Sequence, residues 1–523
     1  LTNLAAKLNL QIIPENRFEA FIHAGKKEKF GRSASSTFPG GWNQTGAYHF
    51  GSPIIKFQDE HMFGDNLFLS VKYAWSNAGF RLTPQMDEDR QNIATWDNLD
   101  WRWENSYAQY YVDRPVNTYN GQANLFLDDV LGMSHDWKIG FDYAVRSELG
   151  GWHWVGQAQL EINMDYPWFD WDGDGNYDII PSQKILWSWR GGFHDYGVKA
   201  WGAFLSDTAT LGRFNFMIGA RYDYQQPVVN PIDATGVDPN NPGWQQLAST
   251  EVLTAMGNLL PTISKPQVKA TDRNGDPWAY KVFSPRLGVT YDLNGDGKTI
   301  VKLSLARYGD YMGTGSAGNW NPGGSGGEID YAWMDSPAYG GNGDGMINFT
   351  ELYWERRPDG KAIPVFDANG NFIANWDDSA GWAWYNFNPN DPLALSDPYT
   401  QYESNAGSSH TYEAMFTIER ELLTDLAVQA NFTYRRYNNF NWTLDYFPAS
   451  EGYSGVLADA VQNQSWYTNY GKVPALAGFD PLQAADHDIY YMAAPYTDYT
   501  PYTLVQKRPD RYNDYMGVDL ILT

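Results

Sequence analysis

Stretches of about ten residues with strict period-two alternation recur along this chain, and the connections between them alternate between short and long. Trp137, Ile139, Phe141, Tyr143 and Val145 alternate with Lys138, Gly140, Asp142, Ala144 and Arg146. Phe214, Phe216, Ile218, Ala220 and Tyr222 repeat the pattern, as do Leu426, Val428, Ala430, Phe432 and Tyr434. Because successive strand side chains point to opposite faces, each stretch has one apolar and one polar face. Weaker versions fall near 3–12, 17–25, 47–60, 67–78, 117–128, 194–206, 281–292, 299–309 and 410–420, and 514–523 begins one more. The pattern predicts about thirteen strands. Short connections fall at Pro14-Glu15-Asn16, Gly64-Asp65-Asn66, Leu131–His135, Asp207–Gly212, Asn294–Lys298 and Leu422–Asp425. Long ones cover about 26–46, 79–116, 147–193, 225–280, 310–409 and 436–513.

A soluble sandwich has no reason to gather every short turn at one end and every long loop at the other. An antiparallel transmembrane β-barrel does, with short periplasmic turns and long extracellular loops, and ten tilted residues cross a bilayer. Composition agrees: aromatics reach 16%, with 36 Tyr and 23 Trp, beside 50 Gly and only 19% charged residues. Trp75, Trp137, Tyr143, Tyr222, Tyr224, Tyr291, Tyr308, Tyr434 and Tyr437 lie near strand ends, where rings suit the headgroup level. The absence of cysteine removes disulfides and thiolate chemistry. A net charge of −25 with no basic stripe argues against a nucleic-acid partner. No apolar run is long enough for a spanning helix.

Three segments resemble the barrel of TonB-dependent outer-membrane transporters of the Oar-like branch: "LTNLAAKLNLQIIPENRFEAFIHAGKKEKFGRSASSTFPGGWNQTG" at 1–46, "NLFLSVKYAWSNAGFRLTP" at 66–84 and "FSPRLGVTYDLNGDGKTIVKLSLARYG" at 283–309. The resemblance implies a barrel of roughly 22 strands around an N-terminal plug, with energy delivered by the TonB complex. Neither a plug-like region nor a TonB box is recognisable here, and 517–523 stops within a strand. The expectation is therefore that 1–523 is the central part of a larger barrel, because open edges are not viable in lipid.

The sharpest local motif is Asp170-Trp171-Asp172-Gly173-Asp174-Gly175-Asn176-Tyr177-Asp178. Asp170, Asp172, Asp174 and Asp178 take positions 1, 3, 5 and 9 of an EF-hand-type calcium loop, Gly175 the turn position and Asn176 the carbonyl position, but Pro181 replaces the closing Glu. A second candidate comprises Asn342, Asp344, Asn348 and Glu351, with Gly340 where the first Asp belongs. Both are expected to take Ca2+, against the alternative of solvated acidic turns. Asp292–Gly297 scans similarly but sits in a short turn, where Asn-Gly and Asp-Gly are hairpin chemistry; Asp272–Asp276, before Pro277, is weaker still. Trp96, Trp101, Trp103, Trp152, Trp154, Trp168, Trp187, Trp189, Trp376, Trp382 and Trp384 crowd the outer loops, where they build local cores or grip sugar or peptide; local cores are the favoured expectation.

The eight histidines form no catalytic or metal motif, and no nucleophile or phosphate-loop signature occurs, so no enzyme activity is expected. Lys138, Arg146, Arg221, Arg286, Arg435 and Asp142 are expected to face the lumen in ion pairs. The leading expectation is TonB-dependent transport of a ligand captured by the loops. The alternative is a surface structural or adhesion protein whose calcium-stiffened loops bind a partner protein or polysaccharide. Expected partners are outer-membrane lipid and lipopolysaccharide, the TonB complex through a plug, and a surface lipoprotein or other envelope protein.

Overall fold

In the computed structural model the period-two segments become thirteen long strands, each hydrogen-bonded antiparallel to the next in sequence. The structure describes residues 1–46, 48, 51–85, 92–164, 170–180, 183–354, 362–373, 383–384, 387–446, 457–458, 467–472, 488–492 and 502–523. The long strands are β1 (Thr2–Ile13), β2 (Asn16–Lys26), β3 (Ser52–Phe63), β4 (Leu67–Asn77), β5 (Pro115–Val130), β6 (Met133–Trp154) and β7 (Gly192–Leu211). They continue with β8 (Phe214–Val229), β9 (Tyr280–Asp292), β10 (Thr299–Gly309), β11 (His410–Leu423), β12 (Leu426–Tyr446) and β13 (Tyr502–Leu522). Among the described residues β1 and β13 do not pair with one another, so the sheet is open.

Register shows why the alternation matters. Leu69, Ala123, Ile139, Leu205, Ala220 and Pro285 lie opposite one another across six strands, an unbroken apolar row on one face. Ile139, Phe141 and Leu205 are exposed there, as a surface facing lipid requires. No helix of the described residues is long and apolar enough to cross a membrane. The opposite face carries charge. Arg221 reaches Asp142 at 2.6 Å and Asp223 at 2.7 Å, and Gly202 leaves the space its guanidinium fills. Arg435 meets Glu413 at 2.5 Å, and Lys138 meets Asp136 at 3.3 Å. Among the described residues Arg146 and Arg286 have no ion-pair partner: Arg146 donates to the Met312 carbonyl at 3.1 Å and covers the Tyr311 ring at 3.7 Å, while Arg286 lies over Tyr308 at 5.3 Å. Both cations lie over π faces, and Arg146 adds a carbonyl.

The strands are longer than the expected ten residues at the long-loop end: β6 has 22 residues and β12 has 21. The Asp207–Gly212 turn narrows because β7 continues to Leu211. Backbone pairing outlasts the amphipathic pattern, since a ladder needs only a partner, whereas alternation needs one apolar environment and one polar one.

The long connections carry a sheet and a core of their own. Segments 94–97, 102–104, 158–162, 184–190, 327–333, 352–354 and 383–384 form a separate sheet, seven-stranded and drawn from three different connections. Its core packs Leu186, Ile329, Tyr331, Trp333 and Trp354 against a helix, α1 (Thr250–Leu259), through Val252, Leu253 and Met256. The Ser249 hydroxyl caps α1 by accepting from the Val252 N–H at 3.3 Å, and Glu251 sits in the first turn, favourable to the helix dipole.

Candidate functional site in the outer loops

The platform formed by this second sheet carries both acidic candidates. In the first, Gly173 (φ +80°) and Gly175 (φ +90°) adopt left-handed conformations that let the chain fold back around Asp170. Asp170 accepts from the Gly173 N–H at 2.8 Å and, through its other oxygen, from the Gly175 N–H at 3.0 Å. Carboxylate oxygens of Asp170, Asp172 and Asp174 consequently lie within 4.8 Å of one another. Asp178 accepts from the Trp171 N–H at 2.8 Å, which ties the two ends of the loop together. The Asn176 N–H donates to Asp174 at 2.7 Å and its side-chain amide to the same oxygen at 3.1 Å. Trp171 anchors the whole loop on the platform, edge-on to Tyr339 and Tyr353 at 5.5 Å each. Pro181 lies outside the described residues.

The second candidate is organised differently. Glu351 is buried, and its two oxygens accept from the Asn342 N–H at 2.9 Å, the Asn348 N–H at 3.1 Å and the Trp333 indole at 3.2 Å. The Glu351 carboxylate thus braces the loop to the platform core. Asp344 accepts from the Asn342 amide at 2.9 Å. The position that Gly340 leaves empty in the EF-hand register is approached by Asp335, whose carbonyl accepts from Gly343 N–H at 2.7 Å and whose carboxylate faces Gly345 N–H at 3.4 Å. No motif scan finds Asp335, because it lies ten residues before Gly345. Its carboxylate also faces the Lys184 ammonium at 3.9 Å, and that ammonium covers the Trp333 ring at 3.9 Å. Burial pushes Lys184 below the usual lysine range, while Asp335 and Glu351 pull it back.

Asp292 repeats the first loop's pattern, accepting from Gly295 and Gly297 N–H at 2.9 Å each, within the β9–β10 turn. Asp272 accepts from Asn274 N–H at 2.8 Å and Asp276 N–H at 3.1 Å, a turn of the same kind. Among the described residues only Asp170, Asp172 and Asp174 converge as a trio of carboxylates.

Most of the loop tryptophans that the structure describes are packing groups. Trp103 lies between Trp96 at 5.4 Å and Trp187 at 6.0 Å, and Trp154 packs on Trp189 at 4.4 Å. Trp101 and Trp152 keep exposed surface. Trp168, Trp376 and Trp382 lie outside the described residues, and of Trp384 only the backbone pairing with Glu328 is described.

No protein-family model matches the chain, and no curated protein matches it. Solved structures do. The siderophore receptor PirA from Acinetobacter baumannii aligns with 99% of this chain and 50% of its own, at 7% identity and TM-score 0.43. The outer membrane transporter YddB from Escherichia coli aligns over 86% and 41%, at 10% identity and TM-score 0.42. The alcaligin outer membrane receptor FauA from Bordetella pertussis aligns over 86% and 44%, at 9% identity and TM-score 0.40. The matched portion thus spans half or less of each of these three chains.

Proposed function

We propose that this chain forms barrel wall and outer platform of a TonB-dependent outer-membrane transporter, which captures a ligand at the platform and passes it through a plug-gated lumen. The observation that carries the reading is the division of the molecule. One strand face is an apolar row suited to lipid, the other holds Arg221–Asp142 and Arg435–Glu413, and the long connections fold into a platform at one end. Charged pairs on the inner face suit contact with a plug, and the acidic outer loops suit divalent ions that bridge lipopolysaccharide. The resemblance of 1–46, 66–84 and 283–309 to the Oar-like branch supports the same reading. The full-length protein, isolated from its native membrane, is expected to bind the periplasmic domain of TonB. Absence of binding would favour the second reading, a surface anchor for a lipoprotein, protein or polysaccharide partner, which the independent core of the platform favours.

Calcium belongs to this proposal as a stiffener of the Asp170 loop. Asp170, Asp172, Asp174 and Asp178 with the Asn176 carbonyl match hard oxygen ligands at EF-hand spacing, and Asn342, Asp344, Asn348 and Glu351 form a weaker second set. Adding calcium is expected to protect residues 170–178 from proteolysis in the wild-type protein. The double variant Asp172→Asn, Asp174→Asn is expected to lose that protection while the barrel stays folded. Equal protection with and without calcium in the wild type rejects the metal.

A further inference from the structure

Where the upper ends of β6 and β7 meet the platform, a cavity of about 440 Å³ opens on the inner face of the wall. Its floor is aromatic: Trp152 and Trp154, two residues apart on one strand face, hold their rings 6° from parallel with centroids 6.1 Å apart. Trp189 closes against Trp154. The remaining wall holds two buried cations. Lys265 is 3% exposed and donates to the Phe193 carbonyl at 2.7 Å and the Asn321 side-chain oxygen at 3.2 Å. Arg190 is 1% exposed and donates to the Pro392 carbonyl at 2.8 Å, the Gly326 carbonyl at 3.3 Å and the Gly324 carbonyl.

All of these acceptors are neutral. Among the described residues neither cation has a carboxylate at ion-pair distance. Asp195, whose field reaches Lys265, is held by the Asn230 amide at 2.9 Å, and Glu148, beside His194, is held by Arg114 at 2.9 Å. Arg190 Nε and the Trp189 indole N–H are buried with no acceptor among the described residues. Burial pushes Lys265 down to about 8 and Arg190 down to about 10. Buried charge without a counter-charge is costly, and buried N–H groups without acceptors are uncommon. Here both line one cavity beside a two-ring platform, which suits flat or pyranose rings.

We propose that this cavity binds a small ring-bearing carboxylate, its ring on Trp152 and Trp154 and its anionic group toward Lys265 and Arg190. The inference deepens the ligand-capture reading and rests on it only in taking the outer mouth as the ligand side. Free carboxylates of this shape come from acidic sugars or from aromatic acids, and two probes separate them.

Binding of glucuronate, glucose, benzoate and benzyl alcohol to the full-length protein in detergent is read by tryptophan fluorescence and calorimetry. At least one acid is expected to bind about tenfold or more tighter than its neutral counterpart. A glucuronate preference identifies a sugar ligand, and a benzoate preference an aromatic one. Lys265→Gln is expected to remove the preference for the acid. Trp152→Leu, at a partly exposed ring, is expected to weaken binding several-fold with the protease resistance of the platform intact, which keeps the test available if the buried lysine variant does not fold. Equal binding of acid and neutral forms, or no binding by either acid, overturns the proposal. Neither result affects TonB binding, so failure here is distinguishable from failure of the transporter reading.

Discussion

Phe141→Arg is expected to abolish stable insertion of the barrel, whereas Gln122→Arg on the neighbouring strand inserts normally. The two positions lie at nearly the same height, since Gln122 pairs with Gly140 and Gly121 with Phe141. Their faces differ. Phe141 is 50% exposed on the apolar face, with Tyr119, Ala123, Trp201 and Leu205 on adjoining strands of that same face, so no carboxylate lies across from it. Gln122 faces the polar side and donates to Asn124 at 2.6 Å. An arginine facing lipid near mid-membrane costs about 2–4 kcal/mol, and each 1.4 kcal/mol is about tenfold in the folded population. The readout is the heat-modifiable gel shift of the membrane-inserted protein. Equal behaviour of the two variants would overturn the strand phase and the lipid-facing row built on it.

Trp333→Ala should melt the platform and leave the wall standing. Trp333 is 1% exposed in the 327–333 strand, its indole donates to Glu351, and its ring supports the Lys184 ammonium. Truncating a buried tryptophan costs about 3–5 kcal/mol. The change also removes one of the donors that satisfy the buried Glu351 carboxylate, which adds to the loss. Limited proteolysis of the variant should cut within 327–354 and 158–190, with the heat-modifiable shift unchanged. If the shift is lost as well, platform and wall fold as one unit, and the idea of a separately stabilised outer domain fails.

The wall was legible because its signal is local. Period-two alternation across 137–146 or 214–222 requires only that lipid lie on one side and polar surface on the other, and each residue reports its own environment. The turns were legible for a similar reason: Asp65 between Gly64 and Asn66 needs no distant partner to mark a reversal. The acidic trio Asp170, Asp172 and Asp174 was also written locally, and the fold brings those carboxylates together as their spacing implies. The helix at Thr250–Leu259 left a readable sign in Ser249 and the apolar run behind it, masked by the turn residues on either side.

The platform's tryptophans pointed to local cores, but its pairing left no such sign. Its strand 327–333, Gly-Glu-Ile-Asp-Tyr-Ala-Trp, alternates Glu328 and Asp330 with Ile329, Tyr331 and Trp333 but is buried on both faces, and it pairs with 184–190, some 140 residues away in the chain, a partner that no local period names. Asp335 reaches the Asn342 loop from outside the motif register, and Lys265 and Arg190 meet one cavity from different connections. Sequence by itself determined which face of the alternating strands is apolar and where the chain reverses, because those depend on the period and on single turns. Only the tertiary structure decided that the long connections share a core, that Glu351 is a brace, and that two buried cations border an aromatic cavity. Those facts depend on contacts between distant segments, whose closure no local pattern encodes.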